Sequence, residues 1–258
     1  MRPMPAGVRP ALLALLALLV VSVSALHAAR ATPAETRRSG FEDMSPSTQA
    51  LQRDDSQNPA MLWVEDGAQR FQADCSRCHT AQSLRPAAAR HPAWHAPSGK
   101  PLTLAGRINA CQVRHVKKPA LAPESEGLLA LEAYVALQGR GLPIQPDATP
   151  ALRPFVAQGE QLYRQRIGQL DFSCAQCHDD HAGRRLAGAL IPQAHPTAYP
   201  LYRLEWQGLG SLQRRLRNCM TGVRAEPYAY GSDEYTMIEL YLKQRAAGMA
   251  VESPGVRP

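Results

Sequence analysis

Two C-x-x-C-H motifs, at residues 75–79 and 174–178, hold the side chains best suited to do chemistry in this sequence. In such a motif the two thiols add to the two vinyl groups of one porphyrin, and the adjacent histidine supplies a nitrogen ligand to the iron. The sequence therefore predicts two covalent haem c groups. Their thioether cysteines are Cys75 and Cys78 for the first and Cys174 and Cys177 for the second, with His79 and His178 on the respective irons.

A thioredoxin-like redox pair and a zinc site are the other common uses of paired cysteines. A thioredoxin-like pair is expected within a β-α-β context, which this sequence lacks. A zinc site would bring the two motifs together, yet they lie in separate, repeated halves of the chain. Covalent haem is the interpretation that fits both copies.

Each motif is followed by one more cysteine, Cys111 in the first half and Cys219 in the second. A c-type haem usually takes histidine or methionine as its sixth ligand, but neither type occurs at equivalent positions of the two halves. We therefore predict Cys111 and Cys219 as the sixth ligands, and a thiolate ligand would lower the reduction potential. The alternative is a Cys111–Cys219 disulfide, which is ordinary in proteins outside the cytoplasm.

An arginine precedes each of these cysteines by four residues, Arg107 in the first half and Arg215 in the second. On a helix this spacing places the arginine and the cysteine on one face. A guanidinium lowers the pKa of a nearby thiol and can bind an oxyanion through two hydrogen bonds. We assign that role to Arg215, in preference to Arg214 and Arg217, and assign Arg107 to a haem propionate.

The two halves repeat one order of elements: a short helix, a haem motif, a loop, the additional cysteine and a closing helix. The closing helices are predicted at 125–135 and 232–242, where apolar residues recur at helical spacing behind the N-cap candidates Ser125 and Ser232 or Asp233. No convincing strand pair is apparent between the helices. The predicted fold class is mostly α, with two tandem cytochrome c-like domains that each carry one covalent haem.

A stretch rich in glycine and proline separates the halves, because it cannot continue a helix. The predicted organisation is a signal peptide at 1–31, a polar and irregular N-terminal extension at 32–56, domain 1 at 57–142, a linker at 143–154 and domain 2 at 155–250.

The first residues have the pattern of a secretory signal: arginines, an apolar run at 11–23 and an A-x-A site at 29–31. The run is short for a membrane span, although an uncleaved anchor is the alternative. We predict a mature protein outside the cytoplasm with no membrane span after cleavage. The net charge is +7, but three arginines leave with the signal and four haem propionates would offset most of the rest. The basic pI therefore does not indicate nucleic-acid binding.

The two haem motifs, the cysteine downstream of each and the Arg-Arg-Leu-Arg-Asn-Cys segment at 214–219 resemble the SoxA family. SoxA is the dihaem subunit of the periplasmic SoxAX cytochrome complex of bacterial thiosulfate oxidation. The resemblance covers essentially the whole mature chain. Some family members lack the first haem motif, whereas this sequence keeps it.

The resemblance implies an L-cysteine S-thiosulfotransferase, which joins thiosulfate oxidatively to a cysteine of the sulfur carrier SoxYZ and passes two electrons to haem. By the family pattern Cys219 would carry a persulfide at the active site, and Arg215 would bind the substrate. Cys111 would be an axial ligand only. The monohaem cytochrome SoxX would be the partner in a heterodimer, and the complex would work in the periplasm.

Three other functions use the same motifs. A plain periplasmic electron-transfer dihaem cytochrome explains both haems but leaves the Arg215–Cys219 pair without a role. A thiosulfate dehydrogenase that forms tetrathionate also uses cysteine-ligated haem, but one such ligand would suffice. A dihaem peroxidase would need an open iron position, whereas both sixth positions are predicted to be filled.

Overall fold

The computed structural model describes residues 36–258, so the predicted signal peptide at 1–31 lies outside the described residues. In the first half, helix α1 (Pro46–Arg53) precedes α2 (Met61–Asp74), which ends directly before the first haem motif. Helix α3 (Ala81–Arg90), the hairpin of β1 (Ala93–His95) and β2 (Lys100–Leu102), helix α4 (Leu104–Cys111) and the closing helix α5 (Glu126–Gln138) follow. A π-helical turn, Gln112–Val116, continues from the end of α4.

The second half repeats this order. A 3₁₀ turn (Pro150–Leu152) leads into α6 (Arg153–Arg164), and the short helix α7 (Cys174–His178) is the second haem motif itself. Two hairpins come next, β3 (Arg185–Leu186) with β4 (Ala189–Leu190) and β5 (Leu201–Arg203) with β6 (Gly208–Gly210). Helix α8 (Leu212–Gly222), the closing helix α9 (Asp233–Arg245) and strand β7 (Gly255–Arg257) complete the chain.

Serine and threonine N-caps begin the helices that carry the additional cysteines and the helices that close each half. Ser125 and Ser232 cap α5 and α9 through their side chains, which confirms the predicted starts of both closing helices. Thr103 caps α4 and Ser211 caps α8 in the same way. A cap of this kind accepts a hydrogen bond from a backbone N–H that the helix leaves unpaired. Local sequence therefore sets where both cysteine-bearing helices begin.

The repeat is visible in how helices cross. Helix α2 packs on α5, and α6 packs on α9, in each case with a glycine at the closest approach. A Cβ atom at Gly67 would lie 2.0 Å from the Ala130 carbonyl oxygen, and one at Gly159 would lie 2.1 Å from the Met237 carbonyl oxygen. Only a residue without a side chain allows the backbones to approach this closely.

Aromatic pairs beside these crossings are also repeated. The rings of Phe71 and Tyr134 lie 5.0 Å apart in the first half, and those of Tyr163 and Tyr241 lie 5.3 Å apart at the equivalent positions of the second. Both distances fall in the range at which tilted aromatic rings attract. The two halves are therefore built on the same helix crossing.

Helix α8 is anchored in the second core through Met220. This residue is buried, and the Tyr235 hydroxyl donates a hydrogen bond to its sulfur. The surrounding core includes Tyr163, Ile238 and Leu242. The neighbouring residue, Cys219, is thereby held at a defined position.

Two features differ from the expectations from sequence. The residues between the helices do form strand pairs, including a three-stranded sheet in the order β6-β5-β7, but each strand has only two or three residues. Segments this short carry no readable alternation of apolar and polar residues. In addition, the extension at 32–56 is not irregular throughout, because α1 lies within it. The Ser45 side chain caps α1 and Pro46 begins it, and Gln52 accepts a hydrogen bond from the Val256 N–H of β7.

The described residues Arg38–Pro258 form one compact unit. Within residues 36–258, no helix has both the length and the apolar character needed to cross a membrane.

Candidate functional site

The second haem motif opens onto a large cavity of about 990 Å³. This volume lies at the upper end of the range for pockets that hold small molecules and cofactors. Helix α7 contributes His178, and α8 contributes Arg215, Leu216 and Cys219. The hairpin of β3 and β4 and residue Leu242 of α9 complete much of the wall.

His178 is oriented by a backbone acceptor. Its Nδ1 donates a hydrogen bond of 2.7 Å to the Pro192 carbonyl oxygen. The other ring nitrogen is thereby directed away from the backbone, and the ring hydrogen-bonds the Cys219 sulfur. A histidine that binds a metal usually has its second nitrogen held in this way. Pro192 could not be predicted from the sequence, because a backbone carbonyl can belong to any residue.

The donor set and the cavity fit a covalent haem. His178 and Cys219 lie side by side at the cavity, so both could bind one haem iron. Cys174 and Cys177 lie on the turn of α7 that ends at His178, and the charges of both interact with that of Cys219. Burial raises the pKa of Cys174 to about 11, which is consistent with a thiol in an apolar wall.

The Cys219 sulfur lies in a positively charged environment. Burial by itself would raise the pKa of this thiol, but the hydrogen bond from His178 and the charge of Arg215 outweigh it and hold the pKa below its usual value. Arg203, at the end of β5, adds to the same effect. The arrangement favours a thiolate at Cys219 and an anion beside it.

Arg215 is the arginine available to such an anion. Among the described residues it forms no ion pair. The neighbouring arginines have other partners: Arg214 stacks on the Trp206 ring at 4.4 Å, and Arg217 donates to the Tyr228 carbonyl oxygen at 3.0 Å. The structure therefore supports the choice of Arg215 over its two neighbours.

A polar network that was not foreseen from the sequence supports α7. Asp179, which directly follows His178, accepts hydrogen bonds from the Tyr163 hydroxyl at 2.8 Å and from Arg245 at 2.7 Å. The Arg245 guanidinium also lies over the Tyr163 ring at 4.9 Å. The only signal in the sequence was an acidic residue next to the motif. The first half has Phe71, which lacks a hydroxyl, in place of Tyr163.

The first site is more open. Cys78 and His79 are exposed, whereas Cys75 is partly buried. Burial, followed by the charges of Asp74 and Cys111, raises the pKa of Cys75, so the structure brings Cys111 close to this motif. The donor set of two thiols, a histidine and a further thiol matches that of the second site.

Arg107 does not lie beside an acidic partner in the described part of the chain. Its charge acts on His91, whose pKa is lowered mainly by burial and further by Arg107. The alternative of a Cys111–Cys219 disulfide is not what the structure shows. All six cysteines are free, and these two lie at different motifs.

Comparison with known proteins places these features in context. The profile of the family described as SoxA/TsdA, cytochrome c domain, matches residues 60–144 and 158–251. The L-cysteine S-thiosulfotransferase subunit SoxA of Pseudaminobacter salicylatoxidans is 32% identical over 87% of this chain and 82% of its own length. The protein of the same name from Paracoccus pantotrophus is 31% identical over 86% and 80%. A solved structure described as SoxXA from P. pantotrophus superposes with a TM-score of 0.83 at 30% identity and covers 86% of this chain and 87% of the other.

Proposed function

This chain belongs to the SoxA/TsdA cytochrome c family, and from that membership we propose that it is the dihaem subunit of an L-cysteine S-thiosulfotransferase. Its substrates would be thiosulfate and a cysteine thiol of the carrier SoxYZ. The observation that carries the proposal is the juxtaposition at one cavity of Cys219, His178 and Arg215, which forms no ion pair within residues 36–258.

The overall reaction balances as an oxidative coupling. Thiosulfate and the carrier thiol become a carrier S-thiosulfonate, in which a new sulfur–sulfur bond joins the two, and one proton and two electrons are released. Haem c, when bound, supplies the one-electron acceptors that this oxidation requires. Cys174 and Cys177 would attach it at the second site, with His178 and Cys219 on the iron. Cys75, Cys78, His79 and Cys111 would hold a second haem c.

The residues of the second site would bind and orient the substrate. Thiosulfate is a small dianion whose sulfonate oxygens suit the two-pronged hydrogen bonding of a guanidinium. Arg215 would hold that end and direct the outer sulfur toward Cys219. The outer sulfur of a Cys219 persulfide would form a sulfur–sulfur bond to the outer sulfur of thiosulfate as two electrons are removed. The carrier thiolate would then attack the thiosulfate-derived sulfur, and the Cys219 persulfide would leave.

The partners follow from the family. The solved structure that this chain resembles is a SoxXA complex, so we propose a heterodimer with a SoxX-type monohaem cytochrome that receives the electrons. SoxYZ would dock transiently at the cavity. The predicted signal at 1–31 supports action in the periplasm.

The test is product analysis with purified holoprotein, its cytochrome partner and reduced SoxYZ. Intact-mass analysis should show thiosulfonate added to the carrier with the wild-type chain and none with Cys219→Ala, although both haems remain attached. Cys111→Ala is the matched control, because it removes the equivalent ligand at the other site, and it should keep carrier modification above that of Cys219→Ala. A fully active Cys219→Ala variant, or tetrathionate formed without any carrier, would overturn the proposal.

A further inference from the structure

A second, smaller cavity of about 180 Å³ lies between the closing helices and holds charged groups that the proposed reaction does not use. Glu132 on α5 and Glu239 on α9 both line it, as does Lys243, one turn after Glu239. The two glutamates occupy equivalent positions of the repeat, each seven residues after the N-cap serine of its helix. The pseudo-symmetry of the fold thus brings the same acid from each half to one cavity.

None of these three side chains is paired with an opposite charge at ion-pair distance within residues 36–258. Glu132 is buried, and its carboxylate accepts only a backbone hydrogen bond from Ala105. Glu239 accepts a hydrogen bond from the Gln213 side chain, and the Lys243 ammonium donates to the Ala88 carbonyl oxygen at 3.2 Å. Glu239 and Lys243 attract each other, but not at ion-pair distance. A buried charge without a close partner is costly, so such a group tends to become neutral by gaining or losing a proton.

The pKa values agree with this geometry. Burial, followed by the charges of Glu239 and Glu124, raises the pKa of Glu132 to about 8. Burial raises the pKa of Glu239 to about 7 and lowers that of Lys243 to about 8. All three groups therefore change charge close to neutral pH.

Three other titratable side chains that face the cavity have shifted pKa values. Burial lowers the pKa of His91 and raises the pKa values of Tyr199 and Tyr230, so these side chains stay neutral. Glu124 lines the cavity and raises the pKa of both buried glutamates. The cavity is polar and large enough for several water molecules, which can carry protons between the groups.

This cavity is adjacent to the candidate active site. Pro196, Tyr199 and Leu212 line both the small cavity and the large one. Gln213, the partner of Glu239, lies six residues before Cys219 on the same helix, which corresponds to about 9 Å along the axis. Because buried charges are screened less than exposed ones, we expect a change of charge at the site to act on Glu239.

We propose that Glu132, Glu239 and Lys243 form an internal proton-exchange site that takes up one proton when the second haem site gains an electron. The electron adds negative charge at the large cavity, and protonation of one carboxylate at the small cavity compensates it. During turnover that proton would come from the carrier thiol as it is oxidised, and this point alone rests on the proposed function. The uptake itself requires no thiosulfate and no carrier.

The test uses the holoprotein, reduced electrochemically without substrate. The reduced-minus-oxidised infrared spectrum of the wild type should show a carboxylic acid band that gains intensity and shifts in deuterium oxide. The midpoint potential of the second haem should fall as the pH rises from about 7 to about 8. Glu132→Gln and Glu239→Gln should each remove part of the carboxylic acid band. Each should also make the midpoint potential of the second haem less dependent on pH.

Glu126→Gln is the matched control, because Glu126 is an exposed acid in the first turn of the same helix as Glu132. This variant should leave unchanged both the carboxylic acid band and the slope of the midpoint potential against pH. A wild-type spectrum without a carboxylic acid band, or slopes that are equal in all variants, would overturn the proposal. Because no turnover is measured, a failure here is distinct from a failure of the thiosulfotransferase proposal.

Discussion

Replacement of Glu132 by glutamine should make the protein less sensitive to alkaline pH. The carboxyl group is buried on α5, and burial, followed by the charges of Glu239 and Glu124, raises its pKa from 4.5 to about 8. A raised pKa in the folded state means that stability is fully present below the pKa of the unfolded chain and is lost as the pH rises through the folded value. The loss for this group therefore spans about pH 4.5 to pH 8.

The magnitude follows from linkage. Each pH unit between the two pKa values changes the free energy of unfolding by about 1.4 kcal/mol for one proton. Between pH 6 and pH 8 the wild type should therefore lose about 2–3 kcal/mol relative to Glu132→Gln. Glutamine keeps the shape of the side chain and can still accept the hydrogen bond from Ala105, so no cavity is created. Glu239 and Lys243 titrate in both proteins, so their own contributions cancel to a first approximation in the comparison.

The assay is urea unfolding of the holoprotein at pH 6, 7 and 8, followed by far-ultraviolet circular dichroism. The difference in free energy of unfolding between Glu132→Gln and the wild type should grow steadily with pH. The corresponding difference between Glu126→Gln and the wild type should stay constant. Parallel curves for Glu132→Gln would refute the reasoning, because they would mean that the carboxyl group is ionised in the folded protein across the whole range.

Three further substitutions test the packing and the site. Gly159→Ala should lower the free energy of unfolding in urea by about 3 kcal/mol, because its Cβ would lie 2.1 Å from a carbonyl oxygen of α9. Gly188→Ala is the control in the same assay, because a Cβ at Gly188 meets nothing within 4 Å. Tyr163→Phe should cost about 1–2 kcal/mol in the same assay through loss of the hydrogen bond to Asp179, and an unchanged midpoint would contradict a supporting role. Arg215→Lys should lower kcat/KM for thiosulfate about 10- to 100-fold in a coupled assay with carrier, because the two-pronged hydrogen bonding is lost. An unaltered kcat/KM would remove this arginine from the site.

Much of the fold could be predicted because its signals are local. The haem motifs at 75–79 and 174–178 are contiguous in sequence, and the N-caps Ser125 and Ser232 act within one helical turn. The pairing of Arg215 with Cys219 follows from helical spacing alone. The mostly α class and the tandem repeat followed from these elements, and the family match to residues 60–144 and 158–251 agrees with them.

The features that were not predicted depend on contacts between distant segments. The apolar spacing of the closing helices implied a polar face on which an acid would meet water. The structure instead buries most of α5, and contacts between distant segments place Glu132 and Glu239 at one cavity. The Pro192 carbonyl that orients His178 has no side-chain signal. The strands are too short for a readable pattern, and α1 depends on contacts of Gln52 with β7, more than 200 residues later in the chain.

The polar network around Asp179 has a consequence for how this protein evolved. If the halves arose by duplication of one ancestral domain, the shared glycine crossings and aromatic pairs are the inherited scaffold, and the network of Tyr163, Asp179 and Arg245 is a later specialisation of one copy. The first copy keeps Phe71 in place of Tyr163 and closes without that network. The fold of the first copy therefore does not depend on such a network. A lineage could lose the haem of the first copy and keep its helices as a platform for the second.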